Sequence, residues 1–235
     1  SNNTVTTNED TTYTFTADDF NFSDVDGDTL SSVTVSALSG SDGTFSLNGT
    51  AITGSTTVTK TQIDNGLLTF APDSNENGSD YNTFTFTVND GTTNSSSSYT
   101  MTVDVTAVND APTASNNTVT TNEDTDHTFA ASEFGFSDVD GDSLDHVTIE
   151  TLPSNGTLLL SGVAVSAGDE ISAADITNLV FRPAANANGS DYDSFTFSVN
   201  DGTADSSSTY TMTVDVDAVN DAPTASNNTV TTNED

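Results

Sequence analysis

The segments Thr83–Val88 (TFTFTV) and Ser97–Thr106 (SSYTMTVDVT) decide the fold. In both, an apolar residue stands at every second position with threonine, serine or aspartate between, so an extended chain carries one apolar and one polar face. The same alternation, in shorter form, predicts strands near Thr4–Thr7, Thr11–Thr16, Leu30–Ala37, Thr44–Leu47 and Leu67–Phe70. Asn48-Gly49 reads as a hairpin turn, and Phe70-Ala71-Pro72 and Phe181-Arg182-Pro183 close the strands they follow, because proline cannot continue a central ladder. Thr61–Asp64 and Ser172–Asp175 fit the capping pattern of a short helical turn. The class is all-β.

Charge narrows the setting. The chain has 2 Lys+Arg against 36 Asp+Glu, a formal net charge of −34 over 235 residues. Such a surface repels phosphate backbones and anionic lipid, so nucleic acid is excluded as a partner, and no apolar run is long enough for membrane insertion. With so few basic residues, dissolved cations are what remains to neutralise the carboxylates. Cysteine is absent, so disulfides and thiolate metal sites are excluded; this composition fits an exported bacterial protein. The sequence opens in mid-pattern, as an excised fragment would.

The chain repeats itself. SNNTVTTNED occurs at Ser1, Ser115 and Ser226, and Ala107–Asp124 recurs unchanged as Ala218–Asp235. FSDVDGD at Phe22 returns at Phe136, and NGSDY at Asn77 returns at Asn188. These two spacings differ by three residues, so the length difference lies between Asp28 and Asn77, and the acid-bearing ends keep their intervals. The expected organisation is domain 1 over residues 1–107, a linker over 108–112, domain 2 over 113–218, and a second linker with an incomplete third repeat over 219–235.

Strand alternation then distributes the acids. If each domain is entered at its top and left at its bottom, the turn bearing Glu9 is at the bottom and the loop bearing Asp24, Asp26 and Asp28 at the top. Counting back from the exit at Asn109 and Asp110 puts Asp90 at the top and Asp80 at the bottom. The joint between the copies would therefore collect Glu9, Asp80, Asn109 and Asp110 from one side and Asp138, Asp140, Asp142 and Asp201 from the other. The next joint would repeat the pattern with Glu123, Asp191, Asn220 and Asp221. Two carboxylates about 4 Å apart repel by roughly 4 kcal/mol at an effective dielectric near 20. Oxygen-only donors in such numbers suit Ca²⁺, with its flexible set of 6–8 oxygens, better than Mg²⁺ or zinc.

At these residues the sequence resembles a known family. Glu9 in NED, Asp-x-Asp-Gly at Asp24 and Asp138, V-N-D-G at Val88 and Val199, and V-N-D-A-P at Val108 and Val219 are similar to the calcium motifs of cadherin repeats. They are most similar to those of the bacterial cadherin-like tandem repeats in RTX-type adhesins and other giant surface proteins. The resemblance implies tandem Ig-like/cadherin-like Greek-key β-sandwiches joined end to end by short calcium-binding linkers. Carried over, its ligand roles fall on Glu9, Asn109, Asp110, Asp138, Asp140 and Asp201. The sequence departs at Ala107 and Ala111, where the family has an acid and an asparagine, and it lacks Asp-Arg-Glu before the sixth strand, with Asp80 as the nearest substitute. One or two ions per joint are expected, fewer than the family's three.

Asp10, Asp42, Asp73 and Glu76 read as solvated surface acids, since Asp73 and Glu76 align with Ala184 and Ala187. An EF-hand does not fit, because the position a glutamate should occupy is Val35 or Ile149. Nor does an enzyme: His127 and His146 align with Tyr13 and Ser32, and the acids lie on turns instead of facing a cleft. The expectation is a monomeric, calcium-rigidified extender of a secreted or surface-attached bacterial adhesin, partnered by Ca²⁺ and by adjacent repeats. The alternatives are a glycan- or protein-binding module and a spacer in a secreted polysaccharide-degrading enzyme.

Overall fold

The computed structural model describes all residues, Ser1–Asp235, and they divide into two compact units, Ser1–Asn109 and Asp110–Asp235. Unit 1 contains β1 (Asn3–Asn8), β2 (Tyr13–Thr14), β3 (Ser32–Val35), β4 (Thr44–Leu47), β5 (Thr50–Ala51), β6 (Thr56–Thr59), the helix α1 (Lys60–Asp64), β7 (Leu68–Ala71), β8 (Gly78–Asn89) and β9 (Tyr99–Thr106). Its strands form a five-stranded sheet in the order β1-β9-β8-β3-β6 and a four-stranded sheet in the order β2-β7-β4-β5. The apolar faces of the two sheets enclose the core. Phe45 from one sheet stacks on Phe84 from the other with ring centroids 4.3 Å apart, and Phe15 meets Phe84 edge-on at 5.5 Å. All three rings are buried.

Unit 2 repeats the arrangement. It contains β10 (Asn117–Asn122), β11 (His127–Thr128), β12 (His146–Ile149), β13 (Gly156–Leu160), β14 (Val163–Ala164), β15 (Glu170–Ser172), β16 (Leu179–Pro183), β17 (Gly189–Asn200) and β18 (Tyr210–Asp217). The sheets run β10-β18-β17-β12-β15 and β11-β16-β13-β14. Phe129 and Phe195 keep the edge-on contact, at 5.6 Å, while Leu158 on β13 stands where Phe45 stands on β4. Residues 219–235 form no strand or helix, and no helix in the chain is long and apolar enough to cross a membrane.

The all-β sandwich expected from alternation is what the chain adopts, with local differences. The strand expected over Thr11–Thr16 is reduced to Tyr13–Thr14, because the Asp19 carboxylate accepts the Thr16 N–H at 2.7 Å and turns the chain into a 3-10 turn at Ala17–Phe20. β6 escapes the pattern because TTVT holds one apolar residue, yet Val58 is fully buried. Helix α1 is capped by Thr59 with Gln62, one half-turn ahead of the expected Thr61. Ser172 ends a strand, and its hydroxyl binds Asp175 at 2.8 Å before a 3-10 turn at Ile176–Asn178. The Asn48-Gly49 hairpin is present, with both residues at positive φ (50° and 73°), the requirement of a two-residue primed turn.

One pairing fixes where the acids sit. β1 runs parallel to β9, and β10 parallel to β18, so in each unit the first and last strands finish at the same end.

Candidate metal centres

The loop Asp24–Asp28 folds around its first residue. Asp24 Oδ1 accepts the backbone N–H groups of Asp26 (2.8 Å) and Asp28 (3.2 Å), while Gly27 takes φ +88°. Asp138 does the same for Asp140 (2.9 Å) and Asp142 (3.0 Å), with Gly141 at φ +83°. One carboxylate oxygen thus shapes the loop and the other is left for a different partner. The turn after β8 is built likewise: Asp90 Oδ1 accepts the N–H groups of Thr93 and Thr92, both at 2.6 Å, which hold its carboxyl below the usual carboxylate range. Asp201 forms the matching turn with Thr203 and Ala204 at 2.6 and 2.7 Å.

Pairing of Ser32 on β3 with Asn89 on β8 brings the loop and the turn of unit 1 to one end. There Asp24, Asp28 and Asp90 place carboxylate oxygens within 4.8 Å of one another, and in unit 2 Asp138, Asp140 and Asp142 do so. Asp138 Oδ2 is buried and has no hydrogen-bond donor. An anionic oxygen shut away from water without a donor is costly, and a cation removes both the desolvation and the mutual repulsion. The chain approaching this loop is fastened to it within unit 2: the Asp110 N–H donates to Asp140 Oδ2 at 2.7 Å, and Thr113 and Ser137 exchange backbone bonds of 2.8 Å.

The opposite end of each unit is organised around a buried glutamate. Glu9 is 2 % exposed; its Oε1 accepts the Val108 N–H, and its Oε2 accepts Asn77 Nδ2 at 3.3 Å. Glu123 repeats this with Val219 N–H (2.6 Å) and Asn188 Nδ2 (3.0 Å). The asparagine of NGSDY is therefore the residue that positions the glutamate, a role sequence reasoning missed although the motif itself repeats. Asp80 and Asp191 occupy the bulge in the same motif at φ 52° and 47°, where their N–H groups bind Asp104 and Asp215 at 2.8 and 2.6 Å. Both are exposed and belong to neither acidic cluster.

Of the other residues the sequence singled out, Asp26 is exposed and outside the group that holds Asp24 and Asp90, whose third member is Asp28. Asn109 is exposed; Asn220 and Asp221 are exposed, with Asn220 Nδ2 on the Asp221 carbonyl at 3.0 Å. A third group, Asp42, Asp73 and Glu76, is exposed throughout and has alanine at 184 and 187 in the second copy. Both histidines are occupied by carboxylates, His127 by Glu133 and His146 by Asp145. The donor sets of the clusters are oxygen only, which fits a hard divalent cation and gives zinc or copper no soft ligand.

Comparison with known proteins follows the same division. A family model described as cadherin-like matches residues 1–105, and one described as bacterial Ig domain matches residues 109–216. The chain is a pair of bacterial cadherin-like, Ig-like repeats. Among curated proteins no sequence matches it. Solved structures that are similar include the endo-fucoidan hydrolase MfFcnA4 of glycoside hydrolase family 107, at 20% identity and TM-score 0.30 over 93% of this chain. They also include the four N-terminal Ig domains of Dscam1 isoform 1.9, at 11% identity and TM-score 0.25 over 92% of this chain. The titin domains z1z2 match at 13% identity and TM-score 0.25, over 93% of this chain and 94% of theirs. The chain spans 28% of the length of the fucoidan hydrolase and 43% of the Dscam1 fragment.

Proposed function

We propose that these repeats are non-catalytic extender domains of a secreted or surface-attached bacterial protein, and that Ca²⁺ stiffens them at their acidic ends. The observation that carries this reading is the buried, donor-free Oδ2 of Asp138 inside a three-carboxylate group. The ligands would be Asp138, Asp140 and Asp142 in unit 2 and Asp24, Asp28 and Asp90 in unit 1, completed by water or main-chain oxygen. Bound calcium would supply charge neutralisation and loop rigidity. Within unit 1 Val108 is tied to Glu9, and within unit 2 Asp110 is tied to Asp140. Loading the acidic loop would therefore restrain the linker that leads into it. An adhesin is the setting in which a stiff spacer of this kind projects a binding region from the cell.

The test is calcium titration by calorimetry, with thermal melting and small-angle scattering in calcium and in chelator. A ligand at 100 times its Kd adds about 2.7 kcal/mol of stability. The melting point and maximum dimension should both rise with calcium and return on chelation. If neither changes at 10 mM calcium (ten times the roughly 10⁻³ M upper end for extracellular calcium modules), the reading fails.

A further inference from the structure

Five asparagines are followed by glycine, at 48, 65, 77, 155 and 188, and the fold holds four of these steps while leaving one open. We infer that Asn48-Gly49, the turn between β4 and β5, is a site of spontaneous covalent modification that deamidates to aspartate and isoaspartate ahead of the other four.

The chemistry needs two groups free at once. The Gly49 nitrogen attacks Cγ of the Asn48 side chain, the Cγ–Nδ2 bond breaks, and ammonia leaves with the proton from the Gly49 nitrogen. Water then opens the resulting succinimide ring at either carbonyl. One opening gives aspartate; the other gives isoaspartate, whose backbone is longer by one methylene. Glycine permits the attack because no Cβ shields its nitrogen.

At Asn48 both groups are free. Its side chain is exposed and makes no hydrogen bond, and no acceptor takes the Gly49 N–H. Beyond the chain neighbours, no atom stands within 4 Å of where a Gly49 Cβ would be. The attack requires rotation about the Asn48 Cα–C bond, out of the left-handed turn, and little opposes it. β5 is two exposed residues at the edge of its sheet, paired only through Ser46↔Ala51 and Leu47↔Thr50.

The other four steps are held. Asn77 Nδ2 donates to Glu9 at 3.3 Å and Asn188 Nδ2 to Glu123 at 3.0 Å, and both carboxylates are buried. Asn155 Nδ2 donates to the Tyr192 carbonyl at 3.1 Å, and the Gly156 N–H to Asp193 Oδ2 at 2.8 Å. The Gly66 N–H donates to the Ile63 carbonyl at 2.8 Å. Unit 2 builds the matching hairpin turn, between β13 and β14, from Ser161-Gly162 at φ 51° and 83°. The turn therefore does not need the amide. Isoaspartate would add a backbone atom to a two-residue loop whose register rests on Leu47↔Thr50, so β5 is the element the modification releases.

The test incubates the full chain at mildly alkaline pH, samples it over time, denatures it and cuts it with trypsin after Lys60. Arg182 precedes Pro183, a bond that trypsin leaves intact. Fragment 1–60 contains Asn48-Gly49 alone of the five steps, and fragment 61–235 contains the rest. The mass gain of amide-to-acid conversion should appear in 1–60 roughly tenfold or more faster than in 61–235, because each held step must first break a hydrogen bond. Isoaspartyl methyltransferase should label 1–60. Asn48→Ser, the residue unit 2 uses, should remove both signals and leave the melting curve unchanged. Incubation in urea should reverse the order, since 61–235 carries four of the five steps. A fragment 1–60 that gains no mass, a folded 61–235 that keeps pace with it, a gain that survives Asn48→Ser, or an order that urea leaves unchanged overturns the inference.

Discussion

Asp193→Asn should destabilise unit 2 by about 3 kcal/mol, although it changes one atom. The Asp193 side chain is buried under the loop before β13. Its Oδ1 accepts the N–H groups of Ser154 and Ser194, both at 2.9 Å; its Oδ2 accepts those of Asn155 at 2.7 Å and Gly156 at 2.8 Å. An asparagine keeps Oδ1 but turns an NH₂ group toward two buried donors, and each donor that loses its acceptor costs about 1–3 kcal/mol. At the sensitivity of a domain near 100 residues, that loss lowers Tm by on the order of 10 °C. Burial alone would raise the Asp193 pKa, but the four backbone donors together outweigh it and hold the carboxyl below the ordinary 3.8. The sign follows: a depressed folded pKa gives stability that is complete above 3.8 and is lost as pH falls from there through the lower folded value. The gap between wild type and variant should therefore be full at pH 7 and close in strong acid. Unit 1 supplies the mirror experiment. Asn82 fills the matching position, accepting from Gly40 at 3.1 Å and Thr83 at 2.8 Å while its Nδ2 donates to the Asp42 carbonyl at 2.6 Å. Asn82→Asp sets a carboxylate against that carbonyl and should cost unit 1 about 1–3 kcal/mol. Differential scanning calorimetry of the full chain reads both. A loss below about 1 kcal/mol for Asp193→Asn, or a gap that does not change between pH 7 and pH 2, refutes the reasoning.

Removing the Phe84 ring, which touches Phe45 and Phe15, should cost about 3–5 kcal/mol in Phe84→Ala, read by urea unfolding. Gly156→Ala places a Cβ 2.2 Å from Phe181 Cζ and 3.0 Å from the Arg182 carbonyl, so it should destabilise unit 2 by about 1–3 kcal/mol and leave unit 1 unchanged by calorimetry. Gly43→Ala should do the same to unit 1, with a backbone penalty added because φ is +78°. Asp138→Asn should weaken calcium binding by at least tenfold in calorimetric titration and should raise stability in chelator, because it removes one of three crowded charges.

Much of the fold was legible because alternation is local: TFTFTV and YTMTVDV declare a half-buried strand whatever surrounds them. What stayed hidden depends on distant partners. Val58 is buried in a segment with no other apolar residue, so only the sheet reveals β6. The end loops were placed by strand direction, and this brings Asp24 beside Asp90 across 66 residues of sequence. Which aspartate of D-x-D-G-D joins the group was not legible. The loop geometry admits Asp28 but not Asp26 in unit 1, and both Asp140 and Asp142 in unit 2. The role of Asn77 was invisible too, since an asparagine before glycine reads first as a turn.

The two copies also differ in an informative way. Their interiors solve the same packing problems with different residues, Phe45 against Leu158 and Asn82 against Asp193. Their length difference falls between Asp28 and Asn77, the stretch that holds β3 to β7 and α1. The acid-bearing ends keep the same acids and the same backbone hydrogen bonds in the Asp24 and Asp138 loops, the Asp90 and Asp201 turns and the clamps of Glu9 and Glu123, while the membership of the carboxylate groups differs. A sandwich needs only a filled core, and many residues fill one. Crowded carboxylates do nothing for a core and cost stability through repulsion. Their repetition at the ends, while the middle differs between the copies, is what the proposed calcium role would account for.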